Sequence, residues 1–269
     1  MFPIRDNLPS RSTPVVNYLL IAACALVFYL QLNRLDQGEQ LVEQYGLIPA
    51  RVMHPGQPLE ITRQEAIQTP QGVQIRETTH QVATAAVPPW ATLLTCIFLH
   101  GGWMHIIGNM WFLYIFGDNI EDRFGHIGYL LFYLGCGVAA SLTHLVSDTA
   151  STMPTIGASG AIAGVMGAYL LLYPRARILT LVPIFIFLQL FLIPAPVFLG
   201  IWFLIQFLQG TYSISSAATA GVAWWAHIGG FVTGAAVAYA LQRTHHLYPP
   251  PPPAAEPDSY RLGGPRGPL

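Results

Sequence analysis

The stretch that decides the fold is GASGAIAGVMGAYLLLY, residues 157–173, a run without a charged side chain. Within it, Gly160, Gly164 and Ala168 recur at every fourth position. A helix brings such positions onto one face, and their missing side-chain volume lets a second helix backbone approach closely. The run therefore predicts an apolar helix that packs against another helix in a membrane.

The composition excludes an ordinary water-soluble protein. Of the 269 residues, 53% are hydrophobic and 9% are charged, whereas soluble domains carry about 25% charged residues. Mean hydropathy is +0.46. The net charge of -1 argues against a nucleic-acid partner. The basic residues are all arginines, which excludes a lysine base, and the three cysteines have no framework or zinc-site spacing.

Seven apolar runs follow one another along the chain, at 15–30, 103–117, 127–146, 157–173, 178–193, 195–208 and 222–241. Arginines lie before the first run, after the last, and in the loops at 118–126 and 174–177, but they are absent from 147–156 and 209–221. Because cytoplasmic loops are enriched in arginine, both termini and these two loops are predicted to be cytoplasmic. The long segment 34–90 is then outside. Six spans satisfy this arrangement.

The run 178–193 is the one that we exclude from the spans. It has 16 residues, contains Pro183 and Gln189, and is followed by Pro194 and Pro196, whereas a spanning helix needs about 20 apolar residues. We interpret it as a cytoplasmic-side piece that is either interfacial or re-entrant. The predicted fold class is therefore an all-α polytopic membrane protein, a bundle of six transmembrane helices.

The last apolar run contains AHIGGFVTG, residues 226–234, in which Gly230 and Gly234 form a second ridge of small residues. His227 lies three and seven residues before these glycines and shares their helix face. If the two ridges pack together, His227 meets Ser159, and six spans place both residues at the outer ends of their helices. A serine beside a histidine is a nucleophile with its general base.

No acidic residue is placed to orient His227, since Asp118 lies at the cytoplasmic end and Asp148 lies in an outer loop at an undefined distance. We therefore predict a dyad. Acyl transfer also needs donors for the developing oxyanion. His105 and Asn109 are four residues apart on one face of the second span and could supply them, together with the Ser159 backbone N–H. An interhelical hydrogen bond and a metal site are the alternatives for this pair, although the HExxH pattern is absent.

The fourth span is predicted to be short and sunken. Ser159 to Tyr173 is 15 residues, or about 22 Å at about 1.5 Å per residue, against about 30 Å of hydrocarbon. Arg175 and Arg177 hold its lower end at the cytoplasmic interface. Ser159 is then expected roughly 8 Å below the outer surface, at the floor of a cavity open to water.

The chain is divided into a membrane domain, residues 15–246, and two cytoplasmic ends. Residues 1–14 form the N-terminal end. Residues 247–269 include five consecutive prolines and are predicted to be a disordered tail.

The external segment 34–90 is the only sizeable polar stretch. Alternation in 59–67 and 73–82, on either side of the turn sequence TPQG at 69–72, predicts a surface β-hairpin. Residues 91–99 are apolar and are predicted to form a helix half embedded in the outer leaflet.

Four motifs occur in order between about residues 90 and 240: HGGWMHIIGN at 100–109, EDR at 121–123, GASG at 157–160, and AHIGG at 226–230 followed by Gly234. Together they resemble the rhomboid family of intramembrane serine proteases. The resemblance implies a six-span core of the bacterial type, and we expect a bacterial inner-membrane location.

The resemblance also implies the role of each site residue. Ser159 would be the nucleophile, His227 its base, and His105 and Asn109 the oxyanion donors. Six residues would be structural: Gly157, Gly160, Gly230, Gly234, Glu121 and Arg123. The implied activity is hydrolysis of peptide bonds in or near transmembrane segments of other membrane proteins, through an acyl-enzyme. The partners would be those substrates and the lipid bilayer, with no metal and no cofactor.

One position departs from the family pattern. Ala163 stands one turn after Ser159, where an aromatic side chain often packs against the histidine. The His227 ring must then be supported from elsewhere, with Trp224, Trp225 and Met166 as candidates.

Two other hypotheses compete with the protease. An inactive rhomboid-like protein would bind membrane segments without cleaving them, but the intact Ser159 and His227 argue against it. A small transporter would carry ionisable residues near the midplane and internal repeats, and the sequence has neither.

Overall fold

The computed structural model describes residues 1–33, 38–69, 72–184, 187–215 and 223–249. Within these ranges the chain is mostly helical, with helices α1 (Val15–Asn33), α2 (Gly38–Tyr45), α3 (Pro49–Met53), α4 (Thr92–Thr95), α5 (Trp103–Phe124), α6 (His126–Ser147), α7 (Ser159–Leu172), α8 (Ala195–Ser215) and α9 (Trp224–Arg243). The strands are β1 (Phe2–Asp6), β2 (Glu60–Thr69), β3 (Gly72–Gln81), β4 (Arg177–Ile184) and β5 (Phe187–Pro194). Most of the tail predicted at 247–269, from residue 250 onward, lies outside the described residues.

Several of these helices are long and apolar enough to cross a membrane. Among the described residues, three qualify by length and composition, Val15–Asn33, His126–Ser147 and Ala195–Tyr212. A fourth candidate is the pair Pro89–Phe98 and Trp103–Phe124, which is bent by 80°. The helix Ser159–Leu172 is apolar but shorter, as the sequence led us to expect.

The chain is mostly helical, as predicted, but it also forms two β-sheets, of which the sequence predicted only the hairpin within 34–90. One is a three-stranded antiparallel sheet in the order β1-β4-β5. It takes up the apolar run 178–193, whose strands β4 and β5 pair from Arg177 with Pro194 to Ile184 with Phe187. Pro183 is accommodated because β1 pairs only with residues 178–181, so the missing N–H removes no bond to β1.

The second sheet is the hairpin of β2 and β3, which pair without a break from Glu60 with Gln81 to Thr69 with Gly72. The polar segment 34–90 therefore contains an antiparallel hairpin at the position that its alternation indicates. Glu43 of α2 holds the hairpin to the rest of the segment, because its carboxylate lies 2.7 Å from His80 Nε2 and accepts the Ala83 N–H at 2.8 Å.

Residues 91–99 do not form one regular helix. Helix α4 has only four residues and is flanked by 3₁₀ turns at Pro89–Ala91 and Cys96–Phe98. Gln31 of α1 ties the chain down just after them, since its amide donates to His100 O and accepts from His100 N, both at 3.1 Å. The bend before α5 thus has a defined partner on α1.

Helix α7 lies at the centre of the bundle, and residues 160–169 are buried without interruption. Glycines explain how α9 can pack directly against it. A Cβ on Gly230 would overlap the carbonyl oxygen of Gly160, and a Cβ on Gly167 would overlap that of Phe231. On the α6 side, a Cβ on Gly160 would come within 2.6 Å of Ala140 Cβ. The predicted packing of the two small-residue ridges is present.

The EDR segment at the end of α5 joins three parts of the chain. The Glu121 carboxylate accepts Val16 N at 3.0 Å and Asn17 N at 2.8 Å, and so satisfies free N–H groups at the start of α1. Asp122 accepts Arg11 N at 2.6 Å. Arg123 donates to Tyr248 O at 2.6 Å. These contacts fix the N-terminal segment and the residues after α9 to the same end of α5.

Candidate active site

Ser159 and His227 occupy corresponding places at the starts of two neighbouring helices. Ser159 is the first residue of α7, and His227 lies in the first turn of α9. Ser159 Oγ is 2.8 Å from His227 Nε2, a hydrogen-bond distance. Both residues are half-buried. The distance is short because the glycines of α7 and α9 bring the two backbones together.

Gly157 shapes the approach to Ser159. Its φ of +124° lies in a region that side-chain-bearing residues rarely adopt. A Cβ at Gly157 would also lie 2.8 Å from His105 Nε2 and 3.6 Å from Asn109 Nδ2. Both side chains therefore point at the backbone two residues before the serine.

His105 and Asn109 present N–H donors there. His105 Nδ1 accepts the Gly101 N–H at 3.2 Å, which leaves the ring proton on Nε2, the atom that faces Gly157. Asn109 Nδ2 is buried and has no hydrogen-bond partner in the described part of the chain. A buried donor without a partner is costly, so this pocket has the character of a site for a negatively charged oxygen.

The other nitrogen of His227 contacts a residue that the sequence analysis missed. His227 Nδ1 lies 2.7 Å from Gln206 Oε1, on α8. Gln206 is buried, with 7% of its surface exposed. Its signal in the sequence is that it is a polar residue inside the apolar run 195–208. Asp148, the acid considered before, lies just after α6, where its N–H bonds His144 O.

Aromatic side chains flank the His227 ring. The Trp202 ring of α8 lies 5.9 Å away between centroids, and the Trp224 ring lies 6.1 Å away, edge to face. Of the three candidates predicted to support the ring, Trp224 is thus in place. Met166 is buried in α7. Ala163 is also fully buried, so a larger side chain at position 163 would require the surrounding residues to repack.

A cavity of about 20 Å³ lies next to Ser159, enough for about one water molecule. Its lining includes the hydroxyl-bearing residues Ser141 and Thr155 as well as Ser159.

The comparisons with known proteins identify the family. The family model described as the rhomboid domain matches residues 88–244, which is more than half of the chain. The chain belongs to the rhomboid family. Rhomboids are generally serine proteases that act on membrane proteins within the bilayer, and this chain is an integral membrane protein.

Individual relatives match over shorter segments. The chain is 37% identical over 78 residues to RHOMBOID-like protein 5 of Arabidopsis thaliana. The matched segment covers 29% of this chain and 25% of the relative. It is 41% identical over 81 residues to the rhomboid protease GluP of Bacillus subtilis, covering 30% and 15%. Rhomboid protein 1, mitochondrial, of Saccharomyces cerevisiae is 30% identical over 152 residues, covering 53% and 39%. The chain thus matches less than half of the length of each of these relatives.

Proposed function

We propose that this rhomboid is an intramembrane serine endopeptidase that cleaves other membrane proteins in or near their transmembrane segments. The observation that carries the proposal is the 2.8 Å contact between Ser159 Oγ and His227 Nε2, together with the buried amide nitrogen of Asn109, which has no hydrogen-bond partner among the described residues. A nucleophile, a base and an oxyanion donor are the groups that peptide hydrolysis requires.

The reaction has two halves. His227 takes the Ser159 hydroxyl proton as Oγ attacks the carbonyl carbon, and the negatively charged oxygen of the tetrahedral intermediate accepts hydrogen bonds from Asn109 Nδ2, His105 Nε2 and the Ser159 N–H. His227 then gives the proton to the leaving amine, and an acyl-enzyme remains. Water attacks the ester with His227 again as base, and this second step releases Ser159.

The proposed topology has six spans, α1, α5, α6, α7, α8 and α9, with both termini cytoplasmic. The arginine distribution supports it. The exposed apolar side chains of β5 support an interfacial rather than a re-entrant position for 178–193, because Phe187, Leu188 and Leu190 are each more than half exposed. The proposed location is a bacterial inner membrane, which membrane fractionation of the native cells would test.

The decisive experiment is labelling of the purified protein with a fluorescent fluorophosphonate, which reacts with activated serines. Wild type should be labelled, and Ser159→Ala should not. Ser147→Ala, which removes an exposed serine hydroxyl at the end of α6, is the matched control and should label normally. An unlabelled wild type that still binds transmembrane peptides would instead favour the inactive rhomboid-like protein.

A further inference from the structure

Gln206 is a buried amide in the middle of an apolar helix. Its immediate neighbours along α8, Ile205 and Phe207, are both exposed apolar residues, as expected for a helix facing lipid. A polar side chain inside a membrane span is costly unless it is paired, and such residues usually mark a functional contact. Gln206 has such a contact, because its Oε1 lies 2.7 Å from His227 Nδ1.

This contact determines which nitrogen of His227 carries the proton. A neutral imidazole has one N–H and one lone pair. Because Oε1 can only accept, the proton must be on Nδ1, and Nε2 then offers its lone pair to the Ser159 hydroxyl. The opposite tautomer would direct an N–H at Ser159 and could not accept the proton, and a wrong tautomer at a catalytic histidine is severely inhibitory.

We propose that Gln206 is a positioning residue that holds His227 in the tautomer and ring orientation required of the base, in the place that an acid fills in a triad. The inference rests on the proposed function. It assigns to the dyad a third, uncharged partner, and it places that partner on α8, a different helix from those that carry the serine and the histidine. Trp202 and Trp224 restrict the ring by contact alone, so Gln206 is the group that distinguishes its two nitrogens.

The test compares the rates of two Gln206 variants. If Gln206 positions His227, the Glu variant should be faster than the Leu variant, and if Gln206 only fills space, the Leu variant should be faster. Gln206→Leu fills the site but removes the acceptor. Gln206→Glu keeps an acceptor-only oxygen but buries a carboxylate. A positioning role predicts that Leu lowers the fluorophosphonate labelling rate and kcat by about 10–100-fold, as for loss of one buried hydrogen bond, with KM little changed. Glu should restore most of the rate.

The controls separate this inference from the proposed function. Gln209→Leu alters an exposed glutamine three residues further along α8 and should behave as wild type. Each variant should retain its thermal midpoint, and Gln206→Met replaces Gln206→Leu if the latter fails to fold. A Leu variant at the wild-type rate, or a Glu variant slower than Leu, would overturn the positioning role while the protease remains. A wild type without Ser159-dependent labelling would overturn both.

Discussion

The carbonyl oxygen of Gly164 lies where a Cβ on Gly234 would have to be placed. The same Cβ would be 2.6 Å from Gly164 Cα, so the obstruction is the main chain of Gly164 rather than a movable side chain. Helices α7 and α9 are therefore in contact through their main chains at this level of the membrane. In lipid, such close packing is a main source of helix association.

Gly234→Ala should therefore lower the stability strongly. The new methyl group cannot be absorbed by a rotamer change, and overpacking of this kind typically costs about 1–3 kcal/mol. The control is Gly135→Ala on α6, where nothing lies within 4 Å of the added methyl. That change should be neutral or slightly stabilising. The stability of both variants is measured by thermal unfolding in detergent. Unfolding is monitored through maleimide labelling of the buried Cys24, Cys96 and Cys136 as they become exposed. Equal midpoints for the two variants would contradict the assigned packing.

The catalytic substitutions should fall into two classes. Ser159→Ala and His227→Ala remove the nucleophile and the base, and cleavage of a transmembrane substrate should drop to background. Asn109→Ala removes one oxyanion donor among several and should cost about 10²–10³ in rate, with substrate binding little changed. His105→Ala should be intermediate. Cleavage by folded Asn109→Ala at the wild-type rate would reduce Asn109 to an interhelical contact.

Reporter fusions should find both termini and the segment 174–194 on the cytoplasmic side, and 34–90 outside. The prediction follows from the arginines and from the requirement that α7 and α9 start at the same membrane face. Alkaline phosphatase and green fluorescent protein fusions are the paired measurements. Detection of Arg175 and Arg177 outside the cell would refute the six-span topology.

Substrate should enter sideways past α8. A substrate helix bonds its own carbonyls, so it must carry small or helix-breaking residues where it is cleaved. We expect α8 to be the helix that moves aside for the substrate, because it lacks the close glycine contacts that hold α7 to α9. Cysteines replacing Gly210 and Trp224 would allow a disulfide that locks the far end of α8 to α9, because a Cβ at Gly210 would lie 3.3 Å from Trp224 Cβ.

We expect the oxidised form of that double variant to lose cleavage and its reduced form to recover it, in a background without the three native cysteines. The reduced protein is the internal control. Full activity while locked would argue for another path.

Stability should depend on pH through Asp6. Burial raises the pKa of this β1 carboxyl to about 6, although it accepts hydrogen bonds from Tyr169 and Leu8. The folded state then keeps the proton between about pH 4 and 6 while the unfolded chain releases it. The contribution of Asp6 to the free energy of unfolding should therefore fall as pH rises through this window, by no more than about 3 kcal/mol, and stay level above it.

Asp6→Asn should remove that part of the slope, measured by tryptophan fluorescence during thermal unfolding at a series of pH values. The exposed Glu60 provides a control, since Glu60→Gln should leave the slope as in wild type. A slope unchanged in Asp6→Asn would exclude Asp6 as its source.

The approach of Ser159 to His227 could be predicted from the sequence. The spacing of small residues and the helix face can be read within each segment, and the number of spans between the two residues gives the membrane face at which each lies. The three-stranded sheet could not. Its first strand, Phe2–Asp6, pairs with residues that lie more than 170 positions later, and no local pattern specifies such a partner. The run 178–193 was correctly excluded from the helical part of the bundle, but its strand geometry depends on that distant partner.

Gln206 was missed for a related reason. An amide within an apolar run has no spacing signature, and its meaning depends on which side chain faces it across the helix interface. The same holds for Glu121. The resemblance implies a structural role for it, but only the structure shows that its partners include Val16 N and Asn17 N at the start of another helix. Motifs indicate which residues matter, while non-local hydrogen bonds decide what they touch.

Helix α8 begins at Ala195, directly after β5, and this end is fixed: Ala195 N donates to Ala176 O at 2.8 Å, and Ala195 and Leu199 are fully buried. Gln206 is about 16 Å further along, so a tilt of about 10° around Ala195 would move its amide by about 3 Å. That movement exceeds the reach of a hydrogen bond. If α8 tilts about this fixed end when the bilayer thickness changes, the tilt would break the contact between Gln206 and His227.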